Sequence, residues 1–196
     1  MTSTIQSTTQ PAALTPTLST LGAPGTVQRL VLTGFMGAGK STIGRLLAAH
    51  LGWTFLDLDT HLEQRTGSTI AEIFAREGEK RFRRLESTAL TSALAHRHTV
   101  IALGGGTPES LTNRLLIEQT PGTFTIFLDA PFPTLFDRCV LQDITRPVLS
   151  DVEAAQTRFT QRHPLYIRLA GLTIDTTNQT PEETAIALLT VLNKRK

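Results

Sequence analysis

Cysteine is almost absent: Cys139 is the only one in 196 residues, so no internal disulfide can form, and the composition fits a reducing compartment. No apolar run approaches the length that a membrane span requires. Charge of one sign is also scarce. The formal net charge is +2 and the pI about 9.0, with no concentrated basic patch, which argues against a nucleic-acid binder. The first 28 residues carry no charged side chain and are dominated by Ser, Thr and Pro. They lack the basic start and apolar centre of a secretory signal and the arginines of a transit peptide. Such a segment cannot bury enough apolar surface to order itself, so residues 1–28 are expected to be a disordered tail. What remains, residues 29–196, is enough for one domain, and a chain that is 40% hydrophobic can furnish its core.

From Arg29 onward, strand-like runs alternate with helical ones. "RLVLTG", "WTFLDL", "TVIALGG", "TFTIFLDA" and "LTIDTT" are the candidate strands. Most are near-continuous apolar runs, the pattern of a parallel sheet covered by helices on both faces. Thr69 with Glu72 makes a capping box before a long helical segment that Gly78 is expected to kink or divide. Thr180, Pro181 and Glu183 open the last helix in the same way, with proline at its first position. The expectation is one α/β domain with a parallel sheet of about five strands.

Between the first strand and the first helix lies "GFMGAGKS", Gly34 to Ser41, which fits the pattern glycine, four residues, glycine-lysine-serine. Its glycines let the backbone wrap so that the N–H groups of Gly37, Ala38, Gly39, Lys40, Ser41 and Thr42 can face phosphate oxygens. The helix beginning near Lys40 adds its positive dipole end. Lys40 would bridge the terminal phosphates and the Ser41 hydroxyl would ligate magnesium. Switch GTPases read guanine through Asn-Lys-x-Asp. The only Asn-Lys here is Asn193-Lys194, with no aspartate after it, so a nucleotide-dependent switch module loses its best support. The second strand ends in "LDLD", and alternation along a strand puts Asp57 and Asp59 on one side, at the ligand-facing end of a parallel sheet. One carboxylate can help hold magnesium, and the other can accept a hydrogen bond from an acceptor hydroxyl.

Further along come "FRRLE" from Phe82 to Glu86, "LGGG" from Leu103 to Gly106, "TRPVL" from Thr145 to Leu149 and "QRHPLY" from Gln161 to Tyr166. With the phosphate loop and the Asp-x-Asp pair, these six motifs occur in the order found in shikimate kinases, and from about Arg29 to its C-terminus the chain resembles that family. The resemblance implies a three-layer sandwich of the P-loop kinase type with a mobile lid. It implies ATP-dependent phosphorylation of the 3-hydroxyl of shikimate to 3-phosphoshikimate and ADP, on the route to chorismate and the aromatic amino acids. The expected enzyme is a cytoplasmic monomer using Mg2+, with shikimate and ATP as its small-molecule partners and neither nucleic acid nor membrane.

Carried over by motif, Asp59, Arg83, Gly105 and Arg162 are the expected shikimate contacts, and Lys40, Asp59 and Arg146 the catalytic residues. Ser41 and Asp57 are the expected metal ligands. Arg146 and Gln179 join the phosphate loop in holding the nucleotide. The chemistry is independently apt. Two arginines can fork onto a carboxylate, and a run of glycines lets backbone approach a small ring. Asp129, after the hydrophobic run "TIFL", is expected to cap its strand rather than hold a metal. Seven residues before Arg146, where the family tends to carry a nucleotide-stacking arginine, stands Cys139, with Arg138 one step earlier. A gluconate-type or nucleotide kinase of the same fold is the alternative. Gluconate kinases lack the paired arginine motifs and the triple glycine, and nucleotide kinases generally need a larger acceptor region.

Overall fold

Residues 27–141 and 151–193 are described by a computed structural model. The expected tail up to residue 26, and the expected lid with Arg146, lie outside the described residues. Five parallel strands form the sheet: β1 (Arg29–Thr33), β2 (Thr54–Asp57), β3 (Thr99–Ala102), β4 (Thr123–Asp129) and β5 (Leu172–Asp175), in the order β2-β3-β1-β4-β5. Among the described residues, seven α-helices connect and cover them: α1 (Lys40–Leu51), α2 (Leu58–Thr66), α3 (Ile70–Leu94), α4 (Leu111–Gln119), α5 (Phe132–Leu141), α6 (Val152–Leu169) and α7 (Pro181–Asn193). Among the described residues, no helix is long and apolar enough to cross a membrane.

Why the strands lack polar alternation is visible in β1. Leu30 and Leu32 point into a core with Ile43 and Leu47 of α1 and Leu188 of α7, whereas Val31 points into a second core with Leu62 of α2, Ile73 of α3 and Ile117 of α4. Both faces are buried, so the middle of the strand is apolar on both sides, with the polar Arg29 and Thr33 at its two ends. Gln28, the last residue assigned to the tail, already donates to the Gly122 carbonyl at 2.7 Å and accepts from the His98 N–H at 2.6 Å.

Local signals set the helix ends. The Thr69 hydroxyl accepts from the Glu72 N–H and the Glu72 carboxylate from the Thr69 N–H, the reciprocal box that starts α3. Thr180 and Glu183 repeat it at α7. Gly78 has φ 75° and ψ 173°, so α3 is two helices meeting at a break.

One element departs from expectation. β2 stops at Asp57, and Asp59 sits in the first turn of α2, not on the strand. The Asp57 carboxylate accepts from the Asp59 and Thr60 N–H groups and so starts a helix there. A side-chain cap overrides strand alternation at this point, and the two acids do not share a strand face.

Sheet order places β1 between β3 and β4. The chain leaving β1 runs toward the β2 edge and the chain leaving β4 runs toward β5. The phosphate loop therefore opens at the position where parallel α/β sheets make their ligand crevice.

Candidate active site

The loop after β1 is built by close backbone contact. Gly37 has φ 76°, and a Cβ there would stand 2.2 Å from the Leu135 carbonyl oxygen of α5, so only glycine lets the loop lie against that helix. Gly39, also left-handed, is the N-cap of α1, and its carbonyl accepts from the Ile43 N–H at 2.9 Å. The Ala38 side chain is buried in the core, which leaves its backbone for the loop's inner surface, while Thr42 is exposed on α1. Lys40 Nζ donates to the carbonyls of Gly34 (2.8 Å) and Phe35 (2.9 Å), folding the ammonium back over its own loop. Ser41 Oγ donates to Asp57 Oδ2 at 2.6 Å. Because Asp57 uses Oδ1 to cap α2, Oδ2 is directed at the start of α1. A hydroxyl and a carboxylate oxygen meeting in this way suit a small hard cation such as Mg2+.

The residues expected at the acceptor end converge from separate elements. Arg83, from α3, donates to Glu86 Oε2 (3.1 Å), Glu79 Oε1 (3.3 Å) and Glu109 Oε2 (2.9 Å). Arg162, from α6, donates through Nε to Glu109 Oε1 at 2.7 Å. The guanidinium of Arg83 lies so close to Gly106 that a Cβ there would stand 2.6 Å from one of its nitrogens, so the third glycine of the run makes room for it. Burial pulls the Arg83 pKa down, but Glu86, Glu109 and Glu79 outweigh it and the net shift is upward. Glu86 is 2% exposed and also accepts from Thr107 Oγ1 at 2.7 Å. Desolvation pushes its pKa up, partly offset by Thr107 and Arg83, with Asp59 adding to the rise. Asp59 thus lies within electrostatic reach of Glu86, and its Oδ1 is 2.8 Å from where a Gly104 Cβ would stand.

Gly105 is fixed from beneath. The Tyr166 hydroxyl donates to its carbonyl at 2.6 Å, and burial raises the Tyr166 pKa, keeping the phenol a donor. Tyr166→Phe is expected to cost about 1–2 kcal/mol of stability, the cost of leaving a buried acceptor without its donor. Urea unfolding measures it, and an unchanged midpoint would remove this bond from the support of the glycine run.

At the far end, Arg138 donates to the Thr176 hydroxyl (3.1 Å) and to the carbonyls of Thr176 (2.5 Å) and Thr177 (3.2 Å), in the β5–α7 loop that carries Gln179. Gln179 accepts from the Thr184 hydroxyl at 3.2 Å. Cys139 is fully buried, with Sγ 3.0 Å from where a Gly37 Cβ would stand, leaving no room for a long cation. Asp129, at the end of β4, faces His163 Nε2 with both carboxylate oxygens at 3.1 Å.

The structure thus brings Lys40, Ser41 and Asp57 together at one end, Asp59, Arg83, Gly105 and Arg162 at the other, and Gln179 beside Arg138. Arg146 lies outside the described residues. Sequence reading gave no part to Glu109, which joins the two arginines, or to Thr107, which anchors Glu86. No spacing could flag Glu109, since its partners lie 26 and 53 residues away.

With a phosphate-binding loop after the central strand of a five-stranded parallel sheet, the fold defines a P-loop kinase. A gluconokinase from Sinorhizobium meliloti shares that fold at 19% identity and TM-score 0.55, over 86% of this chain and 93% of its own. Within the class, the chain belongs to the shikimate kinase family, whose model matches residues 36–193. It is similar to a shikimate kinase of Thermobifida fusca, 40% identical over 79% of this chain and 89% of the relative. One from Moorella thermoacetica is 42% identical over 75% and 84%. Among solved structures, a shikimate kinase from Acinetobacter baumannii in complex with shikimate matches at TM-score 0.80 and 34% identity, covering 87% of this chain and 96% of its own.

Proposed function

We infer that the chain transfers the terminal phosphoryl group of ATP to the 3-hydroxyl of shikimate, with the Lys40 end of the cleft holding ATP and the Arg83–Arg162 end holding the acceptor. Family membership supports the reaction. One observation carries the assignment of residues: two guanidinium groups on different helices, Arg83 and Arg162, meet on a single carboxylate, that of Glu109. A site that grips one carboxylate this way suits an acceptor whose ring bears one.

In this reading the loop N–H groups from Gly37 to Thr42 cradle the phosphates, and Lys40 leaves its carbonyl partners to neutralise charge on the transferring group. Ser41 and Asp57 would hold Mg2+, which would supply positive charge to the phosphates. Arg83 and Arg162 fix the carboxylate, and the Gly105 backbone bounds the ring. Asp59 orients the acceptor hydroxyl and takes its proton. Arg146 adds a further cation at the phosphates, and Gln179 lies by the base. The working unit is residues 29–196, a monomer in the cytoplasm, and the tail before about Gln28 is dispensable for activity.

Arg83→Ala or Arg162→Ala is expected to weaken shikimate binding by about 1.5–3 kcal/mol, the scale of a lost charge-assisted hydrogen bond. Calorimetry with shikimate, and separately with a non-hydrolysable ATP analogue, measures both ends. Loss of nucleotide binding with intact shikimate binding would reverse the assignment of the two ends.

A further inference from the structure

We propose that Glu109 is a latch on the acceptor site: its carboxylate occupies the place of the acceptor's carboxylate and must be displaced before the acceptor binds. The proposal rests on the reading that Arg83 and Arg162 hold that acceptor group.

Glu109 ends the 3-10 turn Thr107–Glu109, directly after the glycine run. Each of its carboxylate oxygens takes one guanidinium, Oε2 from Arg83 at 2.9 Å and Oε1 from Arg162 at 2.7 Å. An incoming carboxylate gripped by both arginines would meet Glu109 on the same two guanidinium groups, and two anions held that close together repel. The two acidic partners of Arg83 on this side differ in kind. Glu86, 2% exposed and tied to Thr107, is a fixed anchor from below. Glu109 is 38% exposed, over arginines that are 27% and 15% exposed, so it covers them from the solvent side.

The backbone beneath the latch is held. The Glu109 N–H donates to the Gly106 carbonyl at 3.0 Å, and Arg114 of α4 donates to the carbonyls of Pro108 and Glu109. Opening therefore needs only rotation of the Glu109 side chain into water. Partly exposed ion pairs are individually weak, so the latch can open at little cost. Apparent affinity falls by the fraction of molecules with the arginines open. The consequence is selectivity. A molecule offering only a carboxylate merely exchanges one anion for another. An acceptor that also brings hydroxyls to Asp59 and to the Gly105 backbone gains contacts that Glu109 does not make.

The experiment compares wild type with Glu109→Gln, Glu109→Ala and Glu79→Gln. Glu79 is 68% exposed and also pairs with Arg83, at 3.3 Å, so its variant removes the same charge without removing the bridge. Steady-state kinetics gives KM for shikimate and for ATP, and cyclohex-1-ene-carboxylate, a ring acid without hydroxyls, serves as competitor. A latch predicts that both Glu109 variants lower KM for shikimate by about three- to thirtyfold and tighten inhibition by the hydroxyl-free acid at least as much, with KM for ATP unmoved. Glu79→Gln should change either value less than twofold. An unchanged or higher KM for shikimate in the Glu109 variants would overturn the latch, since a glutamate that merely holds the arginines in place should raise KM when removed. An equal fall in Glu79→Gln would also overturn it, reducing the effect to net charge. The underlying reading fails separately: if Arg83→Ala left shikimate affinity unchanged, the carboxylate would bind elsewhere. If Arg83→Ala weakened binding while the Glu109 variants did not strengthen it, only the latch would fall.

Discussion

Lys40→Met is expected to lower turnover by about three orders of magnitude or more while the protein stays folded, because phosphoryl transfer depends on positioned charge more than on covalent participation. The Lys40 ammonium donates to the Gly34 and Phe35 carbonyls, at 2.8 and 2.9 Å, and so lies at the mouth of its own loop. Methionine keeps the length and helix propensity of the first residue of α1 and removes only the cation. Gly34 and Phe35 are buried and their carbonyls lose a donor, so the thermal midpoint should fall by several degrees while the fold persists. The loss should appear in kcat, with a smaller loss in ATP affinity, since the loop N–H groups and the helix end still hold the ground-state phosphates. ADP release with saturating shikimate, read beside a melting curve, separates the two effects. A folded Lys40→Met enzyme with near-normal turnover would remove the lysine from the chemistry.

How far the sequence revealed the molecule depended on the range of each signal. The inner strands β1, β3 and β4 were legible because burial on two faces leaves few polar positions, as Leu30, Val31 and Leu32 show by entering two different cores. The edge strands β2 and β5 are only partly buried and were legible as short apolar runs. The caps at Thr69 and Thr180 were legible because a capping box lies within four residues. Asp59 was placed on a strand because period-two reading cannot see a cap intervene, and Asp57 caps a helix one residue before the alternation would have continued. The motifs that supply the two candidate ends were legible from their order along the chain. The contacts that join those motifs were not. Glu109 meets its arginines only because the turn after the glycine run comes back over α3 and α6, a consequence of sheet order with no trace in spacing. Arg138 is similar: the phase of α5 turns Cys139 under the phosphate loop and leaves the neighbouring arginine for the β5–α7 loop.

Asp59→Asn is expected to reduce kcat by about 10²- to 10⁴-fold, the range typical of a lost general base. The side chain stands in the first turn of α2, with Oδ1 close over Gly104, where an acceptor hydroxyl held by the arginine end of the cleft would meet it. Asparagine has the same shape and can still accept through its carbonyl oxygen, so shikimate binding should weaken by no more than about tenfold. What it lacks is the capacity to take a proton, so the damage belongs in the chemical step. Its charge has a second effect that tells a catalytic role from a structural one. Asp59 helps push the pKa of buried Glu86 upward, which means that the two carboxylates repel in the folded protein. Removing one charge relieves that repulsion and lets Glu86 ionise more readily beside Arg83. That relief opposes the loss of a first-turn acid from α2, so the melting midpoint should move by only a few degrees. A variant with kcat within threefold of wild type would leave the acceptor hydroxyl without an assigned base. A fall in the melting midpoint matching the fall in activity would make Asp59 a structural residue of α2.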